Sequence, residues 1–310
     1  MWRYIRFRLL SLIPVIFGVS FVIFSLLYLT PGDPARMILG DMATEDRVAE
    51  LRQEMGLNDP FFVRYGRYVW NALHGDIGRS YVTRHPVNKE ILSAFPATLK
   101  LASLAIILAV MVGIPLGIIS AVKQYSLFDN IAMIFALVGV SMPVFWLGLL
   151  LILFFSVHLG WLPSSGFSTW EASILPAVTL STPSIAVISR ITRSGMLEVI
   201  RQDYIRTIRA KGQLEFNIIW KHALRNALIP VVTVIGLQFG ALLEGSVLTE
   251  SVFSVPGVGR LMVEAIKTRD YPLVQGGVLY MAIVFSLMNL AVDLIYAYID
   301  PRIKAQYSKQ

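Results

Sequence analysis

The side chains that most often perform chemistry in proteins are sparse in this sequence. It contains no cysteine, which excludes thiolate catalysis, disulfide bonds and cysteine-ligated metal sites. The four histidines have no partner at metal-ligand spacing, and no His-Glu-x-x-His motif is present. We therefore predict neither a metal site nor a catalytic residue.

Signatures of nucleotide binding are also missing. The sequence has no Gly-x-x-x-x-Gly-Lys-Ser/Thr phosphate loop, so we expect any ATP and its Mg²⁺ to bind to other subunits. Gly257 and Gly259 begin like a dinucleotide fingerprint, but Met262 occupies the place of the third glycine. We predict that the chain is not an enzyme and carries no cofactor of its own.

Ionisable side chains within apolar runs are energetically costly and therefore mark candidate functional sites. Glu244, with Gln238 nearby, lies at the end of an apolar run and is a candidate for lining a pathway through a membrane. Asp293 lies near the end of the last run, one turn after Asn289, and we interpret it as a polar contact to a neighbouring helix or as a snorkelling interfacial group. A proton relay would need a chain of such residues.

The composition indicates the environment in which these residues are held. Of the 310 residues, 55% are hydrophobic and only 15% are charged, against roughly 25% charged in soluble domains. Uncharged runs of membrane length cover residues 9–29, 101–122, 131–157, 174–189, 228–243 and 276–292. We predict an all-α polytopic membrane protein with six transmembrane helices.

The distribution of Lys and Arg predicts the orientation. Arg3, Arg6 and Arg8 precede the first run, and the segment 190–227 between the fourth and fifth runs is rich in basic residues. Because Lys and Arg are enriched in cytoplasmic segments, both termini should lie inside (N-in, C-in). The net charge of +7 fits this arrangement, and we expect contact with membrane lipid and none with nucleic acid.

The segment 31–98 should form a small helical domain on the outer side. Thr44, followed by two acidic residues, starts one amphipathic helix that Gly56 ends, and Pro60 starts a second that stops near Gly75. A simple linker is the alternative. We divide the chain into a basic N-terminus with the first helix (1–30), this loop (31–98) and a five-helix core (99–310).

The cytoplasmic stretch 190–227 contains two short amphipathic patterns. Apolar residues recur at helical spacing beside Arg201, Arg206 and Arg209 until Gly212 breaks the pattern, and a second pattern then carries Phe216 and Trp220. One interpretation is a helix pair with an exposed corner that enters a groove on a partner. The other is a basic face held against anionic lipid.

Three ordered blocks of sequence carry a resemblance that spans the whole chain. Block 6–35 leads from a basic start through the first run into Leu-Thr-Pro-Gly-Asp-Pro. Block 203–212 reads Asp-Tyr-Ile-Arg-Thr-Ile-Arg-Ala-Lys-Gly and is followed by 222–230, and block 250–261 contains Ser-Val-Pro-Gly-Val-Gly-Arg, with 269–272 close behind. Together they resemble the membrane permease subunits of binding-protein-dependent ABC importers, in particular the peptide/nickel group.

This resemblance implies a type I ABC importer permease fold in the inner membrane, with the chain forming half of a translocation pathway. The implied partners are a homologous second permease subunit, two ABC ATPase subunits and an extracytoplasmic substrate-binding protein. Carried solutes in this group are dipeptides, oligopeptides, glutathione, opines and nickel complexes. ATP hydrolysis in the partner subunits would drive transport.

The resemblance also assigns the corner near Gly212 to ATPase coupling. The general importer motif has Glu-Ala-Ala, three residues and then Gly, and the aligned positions here are Arg206, Thr207 and Ile208 before Gly212. Gly212 would permit the helix break, and Ala210 would allow a close approach of the partner. The basic side chains would contact the ATPase. The predicted coupling residues are Tyr204, Arg206, Thr207, Arg209, Ala210, Lys211 and Gly212.

Docking of the binding protein should use the two long segments of the outer face, at 44–74 and 250–272, because stable interfaces bury about 800 Å² per partner. The predicted docking residues are Arg67, Pro256, Gly257, Gly259 and Arg260. Two other functional classes remain open, a secondary transporter without an ATPase and a membrane anchor for an enzyme complex. A secondary carrier should show charge relays or paired broken helices, whereas the unusual residues here lie in loops.

Overall fold

The computed structural model describes the backbone of residues 2–40 and 42–299, without the side chains of residues 2–5, 7, 8, 245, 293 and 295–299. The described part is helical, with one isolated β-bridge between Arg79 and Pro86. The helices are α1 (Trp2–Leu29), α2 (Pro34–Leu39), α3 (Glu45–Glu54), α4 (Phe61–Leu73), α5 (Val87–Val122), α6 (Leu127–Ser141), α7 (Val144–Leu151), α8 (Trp170–Ile200), α9 (Asp203–Ala210), α10 (Glu215–Asn217), α11 (Leu224–Val252), α12 (Val258–Lys267) and α13 (Tyr271–Ile299). The side chain of Asp293 is not among the described side chains, so its predicted contact lies outside them. Residues 300–310, the end of the predicted core, lie outside the described residues.

Among the described residues, five continuous helical segments are long and apolar enough to cross a membrane, and the number is six if a bent helix pair is counted as one span. The segments are Leu9–Leu29, Val87–Val122, Trp170–Ile200, Glu215–Glu244 and Tyr271–Val292. The segment Glu215–Glu244 includes the π-helical stretch Ile218–Ala223, which precedes α11. The segment Tyr271–Val292 is the apolar part of α13. The all-helical membrane fold predicted from composition is confirmed.

The predicted third span, 131–157, is not a single helix. It consists of α6 and α7, which meet at an angle of 107°, with a π-helical stretch at Ile152–His158 after α7. Met142 causes the break because a residue before proline avoids helical backbone angles, and here it has φ −79° and ψ 128°. Pro143 then starts α7.

The first compact unit comprises residues 97–256 and 287–299 of the described chain. Its centre is α8, the most buried of the candidate spans, which runs through Pro176 and Pro183 without a break and contacts α6, α7 and α11. Small residues let helices approach closely here: a Cβ at Gly117 of α5 would lie 2.5 Å from the carbonyl oxygen of Ser189 in α8.

A buried ion pair joins α6 to α8 in this unit. Arg193 donates from Nε and Nη2 to the two carboxylate oxygens of Asp129, each at 2.7 Å. The backbone N–H of Tyr125 also donates to Asp129, whose side chain is only 2% exposed. Composition and spacing did not predict this pair.

The second compact unit comprises residues 2–96 and 257–286. An apolar cluster that includes Val87, Ile91, Val258 and Leu273 joins the start of α5 to α12 and α13. Aromatic rings of α1 and α4 pack edge to face, for example Phe24 with Tyr65 at 5.4 Å between ring centroids.

The two predicted amphipathic helices of segment 31–98 are present in this unit as α3 and α4. Thr44 is the N-cap of α3, with acidic residues in its first turn, and α4 follows Pro60. The next helix, α5, begins at Val87 rather than near residue 99, so it crosses the predicted boundary at 98. The division into 1–30, 31–98 and 99–310 stays a prediction.

Candidate coupling and docking sites

The segment 203–217 forms an elbow of two short helices, α9 and α10, joined at Gly212. We call this segment the elbow. On its inner side Ile205 is fully buried in an apolar cluster with Met196 and Ile218. Tyr204 is half-buried, and its hydroxyl accepts a hydrogen bond of 2.6 Å from the side-chain amide of Asn226. The base of the elbow is therefore fixed to α8 and to the start of α11.

Gly212 makes the corner because its backbone adopts φ +76°, in the left-handed region that glycine accepts without strain. A Cβ built at this position meets no atom of the described chain within 4 Å. The requirement for glycine within this chain is therefore conformational, and the space around the corner is open.

An ion pair closes the elbow across this corner. Arg209 at the end of α9 donates from Nε and Nη2 to the two carboxylate oxygens of Glu215, at 3.0 and 2.5 Å. Hydrogen bonding to Glu215 raises the pKa of Arg209 above its usual value, so the guanidinium stays charged. The bidentate geometry restrains the angle between α9 and α10.

The tip of the elbow is exposed and combines basic with apolar side chains. Of the predicted coupling residues, Tyr204 is half-buried and the others lie on the exposed surface, namely Arg206, Thr207, Arg209, Ala210, Lys211 and Gly212. Arg206 also pairs with Asp203 at 3.5 Å. Leu214 and Phe216 beside them are 73% and 69% exposed.

The apolar pattern after Gly212 does not form one face. Ile218 and Ile219 are buried, whereas Phe216 and Trp220 are exposed, because a π-helical stretch at Ile218–Ala223 changes the angular spacing of side chains. Sequence reasoning did not identify exposed Leu214, although an apolar residue directly after a helix-breaking glycine is a usable signal.

The predicted docking residues have different surroundings. Arg67 on α4 is exposed and pairs with Asp59 at 2.5 Å, and Arg260 on α12 is half-buried and pairs with Glu264 at 3.1 Å. Pro256 is exposed, but Gly257 and Gly259 are buried at the start of α12. The docking assignments of these five residues stay predictions.

The two predicted pathway residues lie on α11 without a shared partner. Gln238 is half-buried and donates from Nε2 to the hydroxyl of Ser184 in α8 at 3.0 Å, so it joins two helices. Glu244 is exposed at the end of its candidate span. Within residues 2–40 and 42–299, no group of three or more acidic or histidine side chains is placed to hold a metal ion.

Comparison with known families decides the class of the protein. Residues 113–305 match the family described as binding-protein-dependent transport system inner membrane component, and residues 1–102 match its N-terminal family. The chain belongs to this family. It is thus a multi-pass inner-membrane permease subunit of an ABC importer and not an enzyme, which removes the secondary transporter and the enzyme anchor as alternatives.

Full-length relatives support this assignment. The dipeptide transport system permease protein DppB of Alkalihalophilus pseudofirmus is 48% identical, covering 98% of this chain and 100% of the relative. The glutathione transport system permease proteins GsiC of Salmonella paratyphi A and of Escherichia coli K12 are both 46% identical, covering 98% of this chain and 99% of each relative.

Solved structures support the fold. The inward-facing MetNI methionine ABC transporter matches with a TM-score of 0.55 at 20% identity, covering 68% of this chain and 96% of that chain. An amino acid ABC transporter matches with a TM-score of 0.50 at 19% identity, covering 69% and 94%. The elbow lies in the region that matches the main family, and α3 and α4 lie in the region that matches the N-terminal family.

Proposed function

We propose that this permease forms half of a translocation pathway for peptides or a related small solute, with both termini in the cytoplasm, and that ATP hydrolysis in two partner ATPases drives it through the elbow. A homologous second permease completes the pathway, and an extracytoplasmic binding protein delivers the solute. ATP and Mg²⁺ bind to the ATPase subunits. The dipeptide and glutathione relatives support a peptide-type solute.

The observation that carries the proposal is the contrast between the base and the tip of the elbow. Its base is held by Ile205, which is fully buried, while the tip exposes basic and apolar side chains together. Arginine and aromatic residues are enriched at the centres of protein interfaces, and a restrained lever transmits a displacement that a flexible loop would absorb. The Arg209–Glu215 pair supplies the restraint.

The alternative is that the tip lies on anionic lipid, because Phe216 and Leu214 with nearby Lys and Arg also suit an interfacial helix. A lipid-bound tip would have no protein neighbour at Lys211. An ATPase-bound tip would have one, so the neighbour of this residue distinguishes the two functions.

Site-directed cross-linking tests the proposal directly because the chain has no native cysteine. Lys211→Cys places a single thiol at the exposed tip, and Lys123→Cys places one on the exposed turn between α5 and α6 as the matched control. In the assembled complex, a short maleimide–succinimide cross-linker should join Lys211→Cys to an ATPase subunit in much higher yield than Lys123→Cys.

The same variants test the orientation. A membrane-impermeant maleimide should label both thiols in inside-out vesicles and neither in intact cells. Labelling of Lys211→Cys from outside would overturn the N-in arrangement, and equal cross-linking yields at both positions would overturn the assignment of the tip.

A further inference from the structure

The second compact unit contains a cavity, partly open to the surface, that the proposed coupling function does not use. Its volume is about 490 Å³, within the range of small-molecule sites. It is lined by the end of α1, by α3 and α4, and by the first turns of α13. The lining residues that matter here are Tyr28, Arg64, Tyr68, Asp76, Tyr81 and Tyr271.

Two tyrosine hydroxyls of residues in this lining have no hydrogen-bond partner among the described residues. These are the buried hydroxyl oxygens of Tyr68 and Tyr271, and Tyr271 as a whole residue is 8% exposed. A Cβ at Gly32, which also lines the cavity, would lie 3.4 Å from the Tyr271 hydroxyl. Both oxygens have almost no accessible surface, so they lie behind the cavity wall, and Tyr68 and Tyr271 line the cavity with other atoms.

Arg64 adds a positive charge without a carboxylate partner in the described part of the chain. Its Nη1 donates only a long bond of 3.4 Å to the carbonyl oxygen of Leu57, and its guanidinium lies 5.2 Å from the centroid of the Tyr28 ring. The other two arginines of the lining differ, since Arg52 pairs with Asp33 and Arg67 pairs with Asp59. An anion entering the cavity would therefore meet Arg64.

Asp76 supplies the opposite charge at the same cavity. One of its carboxylate oxygens accepts a bond of 2.9 Å from the backbone N–H of Gly78, and within the described residues no cationic side chain pairs with it. A carboxylate has about four acceptor positions, so this one can also accept from an ammonium group.

We infer that this cavity binds a small zwitterion of dipeptide size, with the ligand carboxylate held by Arg64 and the ligand ammonium held by Asp76. The inference rests on the proposed function for the choice of a peptide as the zwitterion. The site would hold solute on the permease itself, apart from the binding protein.

Equilibrium binding to the assembled complex tests the inference, without ATP and without the binding protein. The probes are radiolabelled L-alanyl-L-alanine, its C-terminal amide and its N-acetyl derivative. The unaltered complex should bind the amide and the N-acetyl probe about tenfold more weakly than the dipeptide, because each lacks one charge.

Each variant that removes one charge should abolish the preference for the dipeptide over only one of the two analogues. Arg64→Gln should bind the dipeptide and its amide equally, and Asp76→Asn should bind the dipeptide and its N-acetyl derivative equally. Arg47→Gln is the control, since Arg47 is an exposed arginine of α3 outside the lining.

Absence of dipeptide binding to the unaltered complex, or discrimination that survives in Arg64→Gln, would overturn the inference. Neither outcome bears on the cross-linking of Lys211→Cys, which needs no solute. Failure of the cavity site and failure of the coupling proposal are therefore separable.

Discussion

Two glycine positions of the same compact unit show opposite reasons for lacking a side chain. At the crossing of α5 and α8, a Cβ on Gly117 would lie 2.5 Å from a backbone oxygen, so the helix contact itself requires glycine. At the elbow, a Cβ on Gly212 would meet no atom of the described residues within 4 Å, and only the backbone angle requires glycine. The comparison separates a region built for its own packing from one whose free space suits a partner.

The same contrast holds for the charged pairs of the two regions. Asp129 and Arg193 lie near the α5–α8 crossing on α6 and α8, largely buried, and the pair joins helices that are far apart in sequence. Arg209 and Glu215 are about half exposed and six residues apart. Changes in the crossing region should therefore affect folding, and changes in the elbow should affect coupling.

The largest effect is expected at the buried pair. Arg193→Gln leaves the carboxylate of Asp129 buried and unpaired, which should cost about 3 kcal/mol of stability and lower the yield of folded protein. Asp129→Asn should cost less, because Arg193 remains 21% exposed and keeps some solvent. Thermal unfolding of the detergent-purified complex measures both, and the double variant should recover part of the loss. Equal costs for the two single variants would contradict this argument.

The next effect tests the close approach at Gly117. Gly117→Ala should destabilise the protein by about 1–3 kcal/mol, because the methyl group forces α5 away from the backbone of α8. Gly18→Ala in α1 is the matched control, since a Cβ there meets no atom within 4 Å, and alanine should be neutral or favourable in a helix. If both variants melt at the same temperature as the unaltered complex, the crossing is looser than its geometry indicates.

The third prediction concerns Gly212 and function rather than folding. Gly212→Val should insert in the membrane normally but uncouple or dissociate the ATPase, because left-handed backbone costs a β-branched residue about 1–2 kcal/mol and a partner surface would meet the new side chain. Copurification of the ATPase, binding-protein-stimulated ATP hydrolysis and uptake are the measurements.

Gly212→Asn separates the two causes, because asparagine tolerates the left-handed region. Loss of coupling in both variants would indicate a steric contact with the partner, whereas loss in Gly212→Val alone would indicate the backbone angle. Values like those of the unaltered protein on all three measurements for Gly212→Val would favour the lipid-bound elbow.

Local signals of the sequence predicted the local structure well. Thr44 with two acidic residues predicts the start of α3, and Gly212 after a helical pattern predicts the elbow, because caps and breaks depend on a few neighbouring residues. The break at Pro143 was missed although its signal is local, since hydropathy alone joined 131–157 into one span. A residue before a proline avoids helical backbone angles, so Met142 before Pro143 is the local signal that distinguishes a broken span from a continuous helix.

Long-range features could not be predicted in the same way. Asp129 and Arg193 are 64 residues apart, and nothing in either neighbourhood specifies the other. The cavity collects Arg64, Asp76 and Tyr271 from three separate segments, so its charges become meaningful only after folding. Burial of Gly257 and Gly259 was missed for the same reason, because packing of α12 and not the local turn decides it.

The smallest change in stability, and the sharpest test of the elbow, comes from the Arg209–Glu215 pair. An exposed pair of this kind contributes about 0–1 kcal/mol, so Arg209→Glu should barely alter the melting temperature while it opens the corner by repulsion from Glu215. The charge swap Arg209→Glu with Glu215→Arg restores the pair but moves the positive charge to the other helix. If the pair acts by restraining the elbow, the swap should recover ATPase stimulation that Arg209→Glu loses. If Arg209 instead contacts the ATPase directly, the swap should stay as defective as the single variant, and Arg209 would act as a binding residue rather than as the restraint argued for here.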